Sequence, residues 1–302
     1  MKLVWAKLSV VAILILGVFY YHFFTLEAEV VSQQEIVEAY QYVKVKHKGA
    51  KLEQVGERTF QFSFPSYDGS IIRGQLSYPK QVSENYPVLI GVHAMGRSYP
   101  RWWTDSLKGR PTVTRVNEIT RLALQQGKVV IAIDARYHGS RKVAERPLRS
   151  IMNDLKFWGD KTTYQEMIIN TVIDHRILLD WIAEQNDLDS SNIALVGYSM
   201  GAQLSLLLAA LEDRVAKVAA IVPPYIDDKT AKVAPKNVVD LLAEKQSIWL
   251  LTADDDEHAS EEENNRLFES IKNGQKHRIK FEGGHILPAG YETSLKPWLI
   301  GQ

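Results

Sequence analysis

Apolar and polar positions change period several times along this chain. Thr59–Phe64 (TFQFSF) and Ile71–Tyr78 (IIRGQLSY) alternate, and the PSYDGS between them carries an Asp-Gly turn signal. That pattern predicts an antiparallel hairpin of half-buried strands. Five short apolar runs follow at Val88–Val92, Val129–Ile133, Ile193–Val196, Val218–Val222 and Ile248–Leu251, and an alternating stretch at His277–Phe281 closes the series. Runs that are apolar at nearly every position suit strands covered on both faces, as inside a parallel sheet. Between the runs, TRVNEITRLALQQGK, YQEMIINTVIDHRILLDWIAEQ and SEEENNRLFESIKNGQ carry apolar residues at helical spacing. In the second of these, Ile168, Val172, Ile177, Leu178 and Trp181 fall mostly on one face. A hairpin followed by alternating strands and helices predicts an α/β domain with a mainly parallel, doubly wound sheet. Ligands of such sheets bind beyond the carboxyl ends of the strands.

The N-terminus departs from this pattern. Lys2 and Lys7 precede an uncharged, mostly apolar run from Leu8 to Phe24, which Leu3–Ala6 could lengthen. The run is at the short end for a membrane-spanning helix. Trp5, Tyr20 and Tyr21 suit interfacial zones, and the lysines would stay cytoplasmic. HFFTLEAEV offers no good A-x-A-like cleavage site, so an uncleaved signal anchor is expected over residues 1–26, with the domain on the non-cytoplasmic side. A cleaved signal with secretion, or a buried soluble helix, is the alternative. Residues 27–55 are polar and charged and are expected to form a juxtamembrane stalk, leaving residues 56–302 as the α/β domain.

Composition narrows the function classes. Lysine plus arginine equals aspartate plus glutamate at 36 each, which argues against a nucleic-acid binder driven by a strong positive field. The chain has no cysteine, so disulfides, cysteine-ligated zinc and a thiol nucleophile are excluded.

The chemistry-bearing residues cluster after the predicted strands. Gly197-Tyr198-Ser199-Met200-Gly201 joins an apolar strand to a helix through one serine. A turn this tight needs small neighbours, and the helix N-terminus aims backbone N–H groups at developing negative charge. The loop after Val92, HAMGRS, can present a second N–H, from Met95 or from Ala94, to complete an oxyanion hole with Met200. His93 is expected to bond the loop backbone rather than transfer protons. Asp254, Asp255 and Asp256 follow Leu251, and His285 follows a Gly-Gly after His277–Phe281. His285 closes the chain order Ser, Asp, His, each after its own strand, and nucleophilic acyl transfer needs all three residue types. Imidazole removes the hydroxyl proton, and a carboxylate fixes the imidazole tautomer.

With these residues assembled, the chain from about Arg58 to Leu299 resembles the α/β-hydrolase superfamily, in particular serine esterases and dienelactone-hydrolase-like or prolyl-oligopeptidase-like members. SYDGSIIRGQLSYP is similar to the family's opening hairpin. IDARYHGSR is similar to its D-x-R-G-H-G-x-S stretch, with Asp134, Arg136, His138 and Gly139 matching and Tyr137 departing. The resemblance implies an eight-stranded, mostly parallel sheet opened by an antiparallel hairpin. It selects Asp256 from TADDDEHAS as the acid, with Ala253 in place of the usual glycine, and His285 from GGHILP. His93-Ala94 replaces the usual His-Gly at the oxyanion loop. Members named for dienelactone hydrolysis use cysteine, which this chain lacks.

The expected function is a serine hydrolase that cleaves a small-molecule ester through Ser199, His285 and Asp256 and an acyl-enzyme, without metal or cofactor. Residues 141–161 and 223–239 are expected as caps, and Trp102, Trp103 and Tyr198 as a substrate wall. The alternatives are a non-catalytic, membrane-tethered binding protein on the same fold, and a serine peptidase or thioesterase. Metal-dependent hydrolysis through Asp254–Asp256 and His258 lacks a second histidine cluster.

Overall fold

The computed structural model describes the whole chain except residues 1–4, 6–8, 11–12, 16, 19, 22–23, 45–49, 273–274 and 302. A helix, α1 (Gln33–Ala39), precedes four strands, β1 (Lys51–Gly56), β2 (Thr59–Pro65), β3 (Ile71–Ser77) and β4 (Tyr86–Val92). Helix α2 (Val116–Gln125) leads to β5 (Val129–Ile133), followed by α3 (Leu148–Phe157) and α4 (Thr162–Ala183). Strand β6 (Leu188–Tyr198) runs into α5 (Met200–Leu211), then β7 (Val215–Ile221) and β8 (Ser247–Ala253). Helix α6 (Glu261–Ser270), β9 (Lys276–Phe281) and α7 (Lys296–Ile300) complete the chain.

These nine strands form one sheet in the order β1-β2-β3-β5-β4-β6-β7-β8-β9, and Ser106–Leu107 pairs antiparallel with Arg110–Pro111 in a separate small sheet. The first three pair antiparallel, β3 pairs antiparallel with β5, and every later pairing is parallel. The apolar runs are covered on both faces, as their composition requires. Val88, Ile90, Ile131, Leu195 and Leu250 face α4 and α5, while Leu89, Val130, Val196 and Leu251 face α2 and α7. Capping boxes mark two helix starts, Ser32 with Glu35 at α1 and Ser260 with Glu263 at α6.

One expectation needs correction, and another lies partly outside the described residues. The sheet has nine strands rather than eight, because β1 extends its edge. All six β1 residues are exposed, so this strand carries no buried face and leaves no alternation to read. Half of residues 1–26, over which the membrane-spanning helix is expected, lie outside the described residues, and among the described residues no helix is long and apolar enough to cross a membrane.

The segment expected as a stalk packs against the body. Ile36 and Tyr40 are fully buried. The Tyr40 hydroxyl donates to the Lys232 carbonyl, and Arg176 donates to the Tyr40 carbonyl. The expected cap at residues 223–239 consists of short 3₁₀ turns, held in part by the Gln203 amide, which donates to the Val233 carbonyl at 2.8 Å.

Candidate active site

Ser199 sits between β6 and α5 with φ +57° and ψ −120°. A positive φ is uncommon for a residue with a Cβ and persists only where the surroundings over-determine it. Here they do. The Ser199 N–H donates to the Ile221 carbonyl at 2.8 Å, fastening the turn to the end of β7. A Cβ on Gly197 would lie 2.0 Å from the Gly201 carbonyl oxygen, and one on Gly201 would lie 2.0 Å from the Val92 carbonyl oxygen. The two glycines therefore let α5 start directly against the ends of β6 and β4.

That approach brings the start of α5 beside the loop after β4. Met200, the first helical residue, has no intrahelical acceptor for its N–H. Among the described residues the Met95 N–H has no acceptor either. The loop between them is held by His93. Its Nδ1 donates to the Ala94 carbonyl at 2.9 Å and its Nε2 accepts the Ala135 N–H at 3.0 Å. Burial lowers the His93 pKa to about 4, so the ring is neutral at neutral pH and keeps one donor and one acceptor. His93 thus ties the β4 loop to the β5 loop.

His285 reaches the serine from the loop after β9. Its Nε2 is 2.7 Å from Ser199 Oγ, and its Nδ1 is 2.9 and 3.1 Å from the two oxygens of Asp256. The Asp256 side chain is almost completely buried, and its Oδ1 also accepts the His258 N–H at 2.8 Å. The neighbouring carboxylates go elsewhere. Asp254 accepts the Gly283 N–H at 2.9 Å, and Asp255 is exposed. Glu257 accepts the His285 N–H at 3.1 Å, and backbone hydrogen bonds hold its carboxyl below the usual range. Of the acidic run, only Asp256 meets the imidazole.

The family is decided by a match that spans this constellation. The dienelactone hydrolase family matches residues 111–285, which is more than half of the chain and includes Ser199, Asp256 and His285. The chain belongs to the dienelactone hydrolase family. It is accordingly a carboxylic-ester hydrolase.

No curated protein sequence matches this hydrolase. Solved structures resemble it at low identity. Acetyl xylan esterase 1 from a Thermoanaerobacterium species has a TM-score of 0.71 at 16% identity, covering 91% of this chain and 96% of its own. Acetyl xylan esterase from a Paenibacillus species has a TM-score of 0.66 at 16% identity, covering 91% and 97%. A cold-adapted esterase from an Arctic intertidal metagenomic library has a TM-score of 0.58 at 18% identity, covering 83% and 98%. At these identities the likeness is one of fold.

The expected substrate wall does not form in this hydrolase. Trp102 is fully buried beneath β4, where a Cβ on Gly91 would come 2.4 Å from its ring. It fills the space that glycine leaves. Trp103 donates its indole N–H to Ser77, which pairs with Val130 near the start of β5, away from the strand ends that carry the serine. Tyr198 is buried and works from below. Its hydroxyl donates to the His285 carbonyl at 2.8 Å and accepts the Leu287 N–H at 3.0 Å, fastening the histidine loop.

A second group of supporting residues came from the IDARYHGSR stretch. Asp174, fully buried on α4, accepts from Arg136 at 2.7 Å, Arg141 at 2.6 Å and Ser66 at 2.5 Å. Arg136 also reaches Asp68 in the hairpin turn at 2.6 Å. These ion pairs bind the β2–β3 turn to the loop after β5. Nothing in the α4 periodicity marks Asp174 as their centre.

Proposed function

We propose that this hydrolase is a serine esterase that cleaves a carboxylic ester by acyl transfer through Ser199. The observation that carries this reading is the continuous chain from Ser199 Oγ through His285 to the buried Asp256, at 2.7 and 2.9 Å. With Nδ1–H donated to the carboxylate, Nε2 presents its lone pair to the serine hydroxyl. His285 takes the hydroxyl proton as Oγ attacks the ester carbonyl, and then delivers it to the leaving alcohol. Asp256 holds the tautomer and stabilises the imidazolium. Water repeats the sequence on the acyl-enzyme, with His285 again as base.

The developing oxyanion is met by the N–H of Met200 and by that of Met95 on the β4 loop. One such donor typically contributes about 10²–10³ in rate. The two xylan-esterase neighbours act on acetylated material, which supports a short acyl ester as the first substrate to try. The test is turnover of p-nitrophenyl acetate by wild type and Ser199→Ala. Wild-type turnover lost by a factor of about 10³ or more in a folded variant supports the reading. Equal turnover by the two overturns it.

A further inference from the structure

A cleft of about 620 Å³ opens beside the β4 loop, between residues 96–110 and the 139–142 turn. It begins one residue beyond Met95. Five basic side chains line it, Arg97, Arg101, Lys108, Arg110 and Lys142, against one carboxylate, Asp134. Overall composition does not explain this imbalance, because the whole chain is formally neutral.

The single acid is committed elsewhere. Asp134 accepts the Tyr99 N–H at 3.0 Å, the Ser140 N–H at 2.8 Å and the Ser140 hydroxyl at 2.9 Å. Among the described residues, none of the five basic groups pairs with a carboxylate. Arginines elsewhere behave differently, since Arg136, Arg141, Arg176 and Arg214 each have an acidic partner within 3 Å. Arg101 sharpens the contrast. It is only 6% exposed, yet its guanidinium donates to neutral oxygens alone, the Arg110 carbonyl at 2.6 Å, Thr112 Oγ1 at 3.1 Å and the Leu107 carbonyl at 3.4 Å. A buried cation without a counter-ion is costly, and its field is weakly screened. Burial and the neighbouring Arg97 and Arg110 also push its pKa below the ordinary value. One carboxylate would leave most of this charge unanswered, whereas a dianion would meet several of these groups at once.

We propose that this cleft binds a multiply charged anionic group of the phosphate-monoester class, carried by the ester substrate. The proposal rests on the reading of Ser199 as nucleophile and Met95 as oxyanion donor, because the cleft lining starts at Gly96, the next residue of the same loop. The anion contributes to substrate affinity and orientation and takes no part in bond breaking. Lys108 and Arg110 stand exposed at the rim, so exchanging them leaves the packed interior intact.

The test compares hydrolysis of O-acetyl glycerol 3-phosphate and O-acetyl glycerol by wild type and by the K108Q/R110Q double variant. Wild type is expected to favour the phosphorylated ester in kcat/KM by at least about tenfold at low salt, with the preference shrinking at 0.5 M NaCl. The double variant is expected to lose about tenfold of that ratio, chiefly through KM. An equal ratio in wild type and variant overturns the anion site while leaving the esterase reading standing. Calorimetric titration with inorganic pyrophosphate separates the two readings. Binding by wild type that weakens about tenfold in the variant, with neither ester hydrolysed, keeps the anion site and defeats the esterase reading. No pyrophosphate binding by wild type at millimolar concentration overturns the site.

Discussion

Gly201→Ala tests whether the close approach of α5 to β4 builds the site. The added Cβ would lie 2.0 Å from the Val92 carbonyl oxygen, 2.7 Å from the Val92 carbonyl carbon and 3.0 Å from the His93 carbonyl oxygen. All three are backbone atoms, so no side chain can turn away. Reaching even 3.0 Å requires the start of α5 and the end of β4 to separate by about 1 Å. Overpacking of this kind costs about 1–3 kcal/mol, and a misplacement of about 1 Å at a reacting centre can cost about 10² in rate. Denaturant unfolding should therefore show a loss of about 2 kcal/mol. The kcat for p-nitrophenyl acetate should fall about 10²-fold, because Met200 and Ser199 move with the helix. Gly69→Ala is the matched control. Gly69 has φ +80° but nothing within 4 Å of the added Cβ, so it should lose about 1 kcal/mol and no activity. A Gly201→Ala enzyme with wild-type stability and a kcat within a factor of about two would refute the reasoning.

Three further outcomes are expected. Asp256→Asn should lower kcat by several orders of magnitude by releasing the His285 tautomer, while Asp254→Asn, which touches only the Gly283 N–H, should cost less than about tenfold; steady-state kinetics on the pair decides it. Tyr198→Phe leaves the Leu287 N–H and the His285 carbonyl without their partner, so unfolding should show a loss of about 1–3 kcal/mol, and kcat should fall without a matching rise in KM. Stability should also fall with acid. Burial lowers the pKa of His93 to about 4 and that of His138 to about 3, so below about 6.5 the unfolded chain binds protons that the native one refuses. Between pH 6.5 and 4 each ring then removes about 1.4 kcal/mol of stability per pH unit. Denaturant unfolding across that window should show this slope, reduced by one proton in His138→Asn, and a flat profile would contradict the buried neutral assignment.

Much of this architecture was legible in the sequence because it rests on local patterns. Strands apolar at nearly every position read as a covered parallel sheet, and small residues flanking one serine read as a tight strand-to-helix turn. What stayed hidden depends on contacts distant in sequence. Strand β1 buries no side chain, so its pairing with β2 has no periodic trace. Trp102 sits among polar loop residues, and its burial is decided by the missing side chain of Gly91 on another element. The role of the Tyr198 hydroxyl depends on where the chain returns 87 residues later. The resemblance already selects Asp256, and the physical reason lies in the turn after β8. There the Asp254 N–H bonds the Phe281 carbonyl and the Asp255 N–H bonds that of Gly283, so Asp256 comes to the imidazole. The spacing of TADDDEHAS points to Asp256, but the bonds that bring it there join residues about 30 apart.

The central claim is that Ser199 is the nucleophile, and covalent capture tests it most directly. Wild type and Ser199→Ala would be treated with a fluorophosphonate probe and the labelled peptide located by mass spectrometry. Labelling confined to Ser199, lost in Ser199→Ala and suppressed in His285→Ala, is the predicted result. No label on folded wild-type protein, or the same label in Ser199→Ala, would contradict the account.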